Sequence, residues 1–158
     1  MNIESRKSKI RGVRVVLALL GLALASCGSS EQFRVRQFHL RSDTIADGNE
    51  FIRAEMNKRL YGAVTEKARE LRKGHFYAVS WRKLSGNRPV KIVFEYRQQS
   101  TGARIKKMTR VLPPSPAGRT EFRITGSDYY QNGRVLAWRM TLLDGSEVIS
   151  RKQSFLWE

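Results

Sequence analysis

The sequence predicts a mainly β protein, an antiparallel sandwich of about seven or eight short strands with one short helix. The 158 residues and their 41% hydrophobic fraction suit one domain with a single core. Apolar and polar residues alternate along several short segments, which is typical of half-buried strands. Turn-forming residues separate these segments about every 10–15 residues, as in all-β domains.

Residues 1–27 have the layout of an export signal. Basic residues lead into an uninterrupted run of eleven apolar residues, Val15 to Ala25, and small residues follow. Such a run rises only about 16 Å as a helix, about half the hydrocarbon thickness of a bilayer, so a membrane-spanning helix is disfavoured. The order of the three regions is that of a secretory signal peptide.

The end of this leader, Leu24-Ala25-Ser26-Cys27, resembles the lipobox of bacterial lipoproteins. The resemblance implies a signal peptide over residues 1–26, cleavage before Cys27 and lipidation of its thiol. Residues 27–31 are then an acylated cysteine and a flexible tether, and residues 32–158 form the sandwich domain. Sorting in that family favours the outer membrane, on its periplasmic face, because no aspartate follows the cysteine. An ordinary signal peptide or an uncleaved anchor is the alternative.

The first part of the domain is predicted to contain a strand and a short helix. Gln32–Arg41 alternates apolar and polar residues, and a slip of phase in its second half predicts a β-bulge. Ser42–Asn49 is polar and predicts a loop. Glu50–Gly62 fits both a helical spacing and a period of two, and we favour a strand. Thr65–Lys73 predicts a helix whose first residue is the N-cap.

The remainder of the chain is strongly β. The predicted strands are His75–Arg82, Pro89–Gln98, Ala103–Leu112, a segment around Phe122 and Ile124, Val135–Leu142 and Glu147–Trp157. Asp144-Gly145 predicts a hairpin between the last two, and Asn132-Gly133 is a further candidate hairpin turn. Pro113–Gly118 is too proline-rich for a central strand. It and Ser127–Gly133 are predicted as loops, and both are candidate contact sites.

Two of these strands resemble those of a known group of folds. Tyr77-Ala78-Val79-Ser80-Trp81 and Val90-Lys91-Ile92-Val93-Phe94-Glu95-Tyr96 are similar to strands B and C of fibronectin type III-like and immunoglobulin-like domains. The resemblance implies an immunoglobulin-like sandwich in which Trp81 is buried beneath an aromatic strand. Cys27 is the only cysteine, so only a member without an intramolecular disulfide is admissible.

No catalytic or metal-binding constellation is recognised, and no cofactor is expected. The two histidines, His39 and His75, are far apart in sequence, and paired cysteines and EF-hand spacing are missing. The three residues of a Ser–His–acid triad come together only in the folded protein, so their spacing in a sequence does not identify them. The chain lacks the Gly-x-Ser-x-Gly motif that accompanies some triads. A non-enzymatic role is therefore favoured, and a small hydrolase is the remote alternative.

The excess of positive charge is the main chemical signal. Thirty Lys and Arg against 14 Asp and Glu give a net charge of +16. Basic residues concentrate on Ala103–Leu112 and its hairpin neighbour, which predicts one cationic, anion-binding surface. Its members are Lys91, Arg97, Arg104, Lys106, Lys107 and Arg110. Charges on exposed strands also keep edges from pairing and maintain solubility, and that role needs no ligand.

These features favour a lipid-anchored module of the cell envelope that binds a partner or assists envelope assembly, without catalysis. Its expected partners are the membrane, through the anchor, and an envelope protein or anionic polymer. An electrostatic binder of envelope polyanions or anionic lipid headgroups is the alternative function. Nucleic-acid binding is not expected, because the signal exports the chain and no recognition motif is present.

Overall fold

A computed structural model describes residues 31–41 and 49–157. Within these ranges the chain forms seven strands, three α-helices and a 3₁₀ turn at Gln99–Thr101. The elements are β1 (Phe33–Leu40), α1 (Glu50–Leu60), α2 (Glu66–Arg72), β2 (Gly74–Trp81), β3 (Val90–Gln98), β4 (Lys106–Leu112), β5 (Gly118–Thr125), α3 (Gly126–Asn132), β6 (Val135–Asp144) and β7 (Glu147–Gln153). The predicted mainly β class is confirmed. The lipobox, Cys27 and residues 42–48 of the predicted first loop lie outside the described residues.

The strands form two antiparallel sheets that share one core. One sheet has the order β1-β2-β5 and the other the order β4-β3-β6-β7. Aromatic side chains bridge the two sheets: the ring of Phe94 on β3 lies 4.7 Å from that of Tyr77 on β2 and 5.4 Å from that of Phe122 on β5. The antiparallel two-sheet arrangement is therefore as predicted.

Strand alternation explains which residues form this core. On β3 the side chains of Val90, Ile92, Phe94 and Tyr96 share one face, and all four are buried, as their spacing of two predicts. Complete burial of a side chain of this size contributes about 1.5–3 kcal/mol. Tyr77 and the other odd-numbered residues of β2 face them from the second sheet.

The predicted bulge in the first strand is wrong. β1 pairs with β2 without interruption from Phe33 opposite Trp81 to Leu40 opposite Gly74. The alternation does not slip, because Phe38 belongs to the outer face of the sheet, where its ring lies 6.4 Å from that of Phe76. A second apolar cluster on the outer face therefore mimics a change of phase in the sequence.

The predicted strand over Glu50–Gly62 is also wrong, because this segment forms α1. The side chain of Asn49 accepts a hydrogen bond from the backbone N–H of Phe51 and caps the helix. Glu55 and Arg59, one turn apart, form an ion pair of 2.6 Å. The predicted second helix is confirmed as α2, whose N-cap Thr65 accepts from the N–H of Ala68 at 3.1 Å.

The segment between β5 and β6 is a helix, α3, and the prediction of a loop over Ser127–Gly133 is wrong. The candidate hairpin at Asn132-Gly133 is wrong for a related reason: β5 and β6 belong to different sheets, so α3 connects the two layers. The buried amide of Gln98 fixes the helix by donating to the carbonyl oxygens of Asp128 (3.2 Å) and Gly133 (3.0 Å).

The predicted final hairpin is confirmed, with Asp144 opposite Glu147 at the turn between β6 and β7. The carboxylate of Asp144 is buried and accepts hydrogen bonds from the backbone N–H and the hydroxyl of Ser85, at 3.1 and 2.6 Å. These bonds tie the β2–β3 loop to the hairpin. β7 ends at Gln153 rather than at the predicted Trp157, which lies in a turn against the sheet.

Candidate anion-binding groove

The six cations predicted to form one surface are divided between two faces of the four-stranded sheet. β3 and β4 pair as predicted, with Lys107 opposite Glu95 and Lys106 opposite Tyr96. Lys91, Arg97 and Lys107 lie on the outward face, as the alternation requires. Arg104 precedes β4, where its backbone N–H donates to the carbonyl of Thr101.

The other two cations of the set point toward the opposite face of β4 and are engaged there. Lys106 forms an ion pair of 2.5 Å with Asp128. Arg110 donates to the hydroxyl of Thr120 at 3.3 Å, and its guanidinium lies 5.3 Å from the centre of the Phe122 ring. The predicted set therefore does not form a single surface.

The outward face is also partly occupied by protein groups. Arg139 on β6 forms an ion pair of 2.8 Å with Glu95. The ring of Trp157 lies 5.3 Å from the guanidinium of Arg97 and 5.0 Å from that of Arg139. Such cation–π contacts stabilise the terminal turn and use part of the charge that was predicted to bind a ligand.

A second basic surface lies on the outer face of the three-stranded sheet, and the antiparallel register explains how it arises. Ser80 on the central strand pairs with Arg34 on β1 and with Arg119 on β5. Ala78, two residues earlier, pairs with Arg36 and with Glu121. Paired residues point to the same face, so small side chains lie between longer ones. β1 and β5, on either side of β2, lie about 10 Å apart, and this spacing sets the width of a groove on this face.

The groove has a volume of about 1510 Å³ and lies between this sheet and the helices α1 and α2. Its lining is strongly basic, with eight cations, which are Arg34, Arg36, Lys58, Arg59, Arg72, Arg82, Arg119 and Arg123. Two acids line it, Glu55 and Glu121. None of the eight cations belongs to the set predicted from the sequence.

Arg59 pairs with both acids of the groove, and Arg123 also pairs with Glu121. Its guanidinium contacts Glu55 and Glu121, each at 2.6 Å, and lies 3.9 Å from the centre of the Phe76 ring. Burial disfavours ionisation of Glu121, but hydrogen bonds from Arg123 and Arg59 outweigh it and hold the pKa of this carboxyl below its usual range. Glu121 therefore serves to fix α1 on the sheet through Arg59, and Glu55 orients Arg59 from within the helix.

Four of the groove's cations are exposed and carry charge that no carboxylate in the described part of the chain compensates. Within residues 31–41 and 49–157, Arg36, Lys58, Arg82 and Arg119 form no ion pair with a carboxylate. Arg36 pairs with Ala78 and Arg119 with Ser80, and Lys58 and Arg82 line the same groove. Guanidinium groups recognise phosphate and carboxylate by paired hydrogen bonds, so the groove has the chemistry of an anion site.

The two histidines lie side by side where β1 ends and β2 begins. The rings of His39 and His75 stack at 3.9 Å, and Nε2 of His39 lies 2.8 Å from the hydroxyl of Tyr129. The indole N–H of Trp138 donates to Oε1 of Gln37 at 3.1 Å, and Nε2 of Gln37 lies 3.2 Å from Nδ1 of His75. Because an indole nitrogen only donates, the amide of Gln37 is oriented so that Nδ1 of His75 accepts.

His75 is consequently neutral. Its burial, with smaller effects from the charges of His39 and Arg134, lowers its pKa to about 3. Among the described residues, no group of three or more histidine, cysteine or acidic side chains is arranged to hold a metal ion. No helix within those residues has the length and apolarity needed to cross a membrane.

Comparison of the chain with protein-family models, with curated proteins and with solved structures finds no match.

Proposed function

We propose that the protein is a lipid-anchored, non-catalytic binding module of the bacterial cell envelope, and that the basic groove binds its anionic ligand. The observation that carries this proposal is the group of exposed cations without carboxylate partners beside a floor of small residues. The lipobox supports the anchor, and the residues after Cys27 favour the outer membrane, on its periplasmic face. Phosphate-bearing polymers and lipid headgroups of the envelope are the ligand class.

An immunoglobulin-like assignment is part of the proposal. In such domains strands A, B and E share one sheet and strands C, F and G share the other. Strands β1, β2 and β5 correspond to the first group, and β3, β6 and β7 to the second, with β4 beside β3. The burial of Trp81 on β2 also supports the assignment. The sandwich then serves as a rigid support for a binding face.

The groove suits an extended anionic chain. The small side chains of Ala78 and Ser80 let a ligand approach the central strand closely, while the arginines on β1 and β5 reach it from both sides. Binding of this kind is mainly electrostatic, so it weakens as salt shortens the range of the charges. A protein partner held by shape and apolar contact would retain its affinity at the same salt concentration.

Two measurements test the proposal. Labelling with a palmitate analogue in the producing cells is expected for the natural chain and is expected to be lost in Cys27→Ala. An unlabelled natural chain would exclude the anchor.

Binding of inorganic polyphosphate tests the groove. The double variant Arg36→Glu/Lys58→Glu is expected to bind at least about tenfold more weakly, equivalent to about 1.4 kcal/mol. The matched variant Lys91→Glu/Lys107→Glu makes the same change of charge on the other sheet and is expected to retain near-natural affinity. Equal losses in the two variants would show that net charge, rather than the groove, determines binding.

A further inference from the structure

β1, the first strand of the domain, begins at one end of the sandwich. At this end Phe33, Trp81 and Gly118 are paired across the three-stranded sheet. Just outside the strands, the N–H of Arg82 donates to the carbonyl of Gln32 at 3.0 Å, and the side-chain amide of Gln32 donates to the carbonyl of Lys83 at 3.2 Å. Gln32 is thus fixed to the loop that follows β2. We call Gln32, Arg82, Lys83 and Arg119 the entry pole.

The entry pole is basic, and hydrogen bonds hold its loop in place. Arg82, Lys83 and Arg119 are exposed, and none of them forms an ion pair within the described part of the chain. The loop that carries two of them is held by the hydrogen bond from the N–H of Leu84 to the carbonyl of Pro116 and by the bonds of Ser85 to the buried Asp144. The three cations are therefore presented on a fixed surface.

The sequence limits how far this surface can lie from an acylated cysteine. Five steps of the chain separate Cys27 from Gln32, and a fully extended chain covers at most about 18 Å over that length. An arginine or lysine side chain adds several ångströms of reach, and the field of a charged membrane extends about 8 Å at physiological salt. The entry pole therefore lies within reach of the headgroups of the membrane that holds the anchor.

The opposite end of the sandwich is more distant from the anchoring cysteine along the chain. β1 runs for eight residues from the entry pole, which corresponds to about 24 Å. Arg104 precedes β4, whose first residues pair with the last residues of β3 at the far end, and Arg134 lies just before β6 starts there. These cations are equally exposed and provide a natural comparison.

We propose that the entry pole binds the phosphate groups of anionic phospholipids in the membrane to which the chain is anchored. This inference rests on the proposed lipid anchor; because Arg82 and Arg119 also line the basic groove, it names the anchoring membrane as the source of the phosphate at these residues. Guanidinium and ammonium groups pair with phosphate oxygens, and each cation close to an anionic surface adds to the attraction. Contact with headgroups would seat the sandwich on the bilayer and direct the far end away from it.

Amine labelling of the acylated full-length mature protein tests the contact. The protein is reconstituted in nanodiscs of phosphatidylcholine alone or with about one third phosphatidylglycerol, and the modification of each lysine is quantified by mass spectrometry. On the anionic discs the labelling of Lys83 is expected to fall by at least about threefold, because the phosphate of phosphatidylglycerol carries a net charge that no choline offsets and therefore pairs with the ammonium group. The labelling of Lys107, near the far end, is expected to stay unchanged.

A matched pair of variants separates the entry pole from net charge. Arg82→Glu/Arg119→Glu is expected to restore the labelling of Lys83 on anionic discs, whereas Arg104→Glu/Arg134→Glu, with the same change of charge, is expected to leave the protection intact. Near-ultraviolet circular dichroism checks that both variants are folded.

Each alternative outcome has a distinct meaning. Equal labelling of Lys83 on the two kinds of disc would overturn headgroup recognition. Protection of Lys83 by added polyphosphate but not by anionic discs would overturn the membrane as the source and leave a soluble polyanion as the ligand. Both results are compatible with the lipid anchor, which fails only if the natural chain is not labelled by the palmitate analogue.

Discussion

Acidification is expected to destabilise the protein through His75. Protonation would place a second N–H on the ring at Nδ1, facing the amide nitrogen of Gln37, which already donates to that atom. Rotation of the amide to offer its oxygen would break the hydrogen bond from Trp138. The stacked ring of His39 and the charge of Arg134 oppose a positive charge at the same place. The neutral form of His75 is therefore strongly favoured in the folded chain.

The magnitude follows from the two pKa values. The pKa of an unfolded histidine is about 6.5, and burial lowers that of His75 to about 3 in the folded protein. Above pH 6.5 both states are neutral, and the full stability is present. As the pH falls below 6.5 the unfolded state gains a proton that the folded state excludes, and the free energy of unfolding decreases by about 1.4 kcal/mol per pH unit. The loss between pH 7 and pH 5 is about 2 kcal/mol.

Urea unfolding followed by tryptophan fluorescence measures this slope. The natural protein is compared with His75→Gln at pH 7, pH 6 and pH 5, and the variant is expected to lose most of the dependence between pH 6 and pH 5. Carboxyl groups with lowered pKa values, such as that of Glu121, lose their contribution at more acidic pH and do not contribute in this window. Parallel slopes for the two proteins would refute the assignment of the proton to His75.

Two further predictions concern the frame of the groove. Gly74 has a φ of +142°, and a Cβ there would overlap the carbonyl oxygen of Ile124; Gly74→Ala is therefore expected to lower the free energy of unfolding by about 3 kcal/mol or more, measured by denaturant unfolding. Gly102 has a φ of +56° and a ψ of −129° with open space around it, so Gly102→Ala meets backbone strain of about 1–3 kcal/mol without an overlap and is expected to lose less than Gly74→Ala; a similar loss at both positions would contradict the overlap. Arg59→Ala removes the ion pairs that hold α1, and we expect a loss of about 2–3 kcal/mol with faster proteolysis of that helix. Lys58→Ala is its control and is expected to change stability by less than about 0.5 kcal/mol, and equal effects of the two variants would show that the ion pairs do not hold the helix.

Much of the fold could be predicted because the alternation of a strand and the residues of a turn depend on neighbours that are close in sequence. The alternation over Val90–Gln98 and the turn residues at Asp144-Gly145 each determine their structure within a few positions, and both predictions are confirmed. The helix Glu50–Leu60 was missed because none of its residues is buried. Its apolar residues therefore do not form the single helical stripe that distinguishes a helix from a strand. α3 was missed because it is stabilised from outside, by the buried amide of Gln98.

The groove could not be predicted because it depends on pairing between distant segments. Arg34 and Arg36 alternate with apolar residues, and this pattern correctly predicts that they lie on one face of a strand. Their association with Arg119 requires that β2 be flanked by β1 and β5, which no local pattern indicates. The prediction placed the anion site on β4 instead, because the basic residues of β4 are close together in sequence. Adjacent residues of a strand point to opposite faces of the sheet, so these residues do not form one surface.

The three-stranded sheet places its exposed arginines and its interior side chains on opposite faces. The residues that flank Ala78 and Ser80 occupy alternate positions of β1 and β5, and the intervening residues of the same strands build the interior. If the groove binds an anion as proposed, exchanges among the flanking arginines would alter the preference for a ligand without changing the residues of the interior. Glu121, which holds α1 through Arg59, is the exception among these flanking residues, so a change of specificity by single substitution would fall on the arginines.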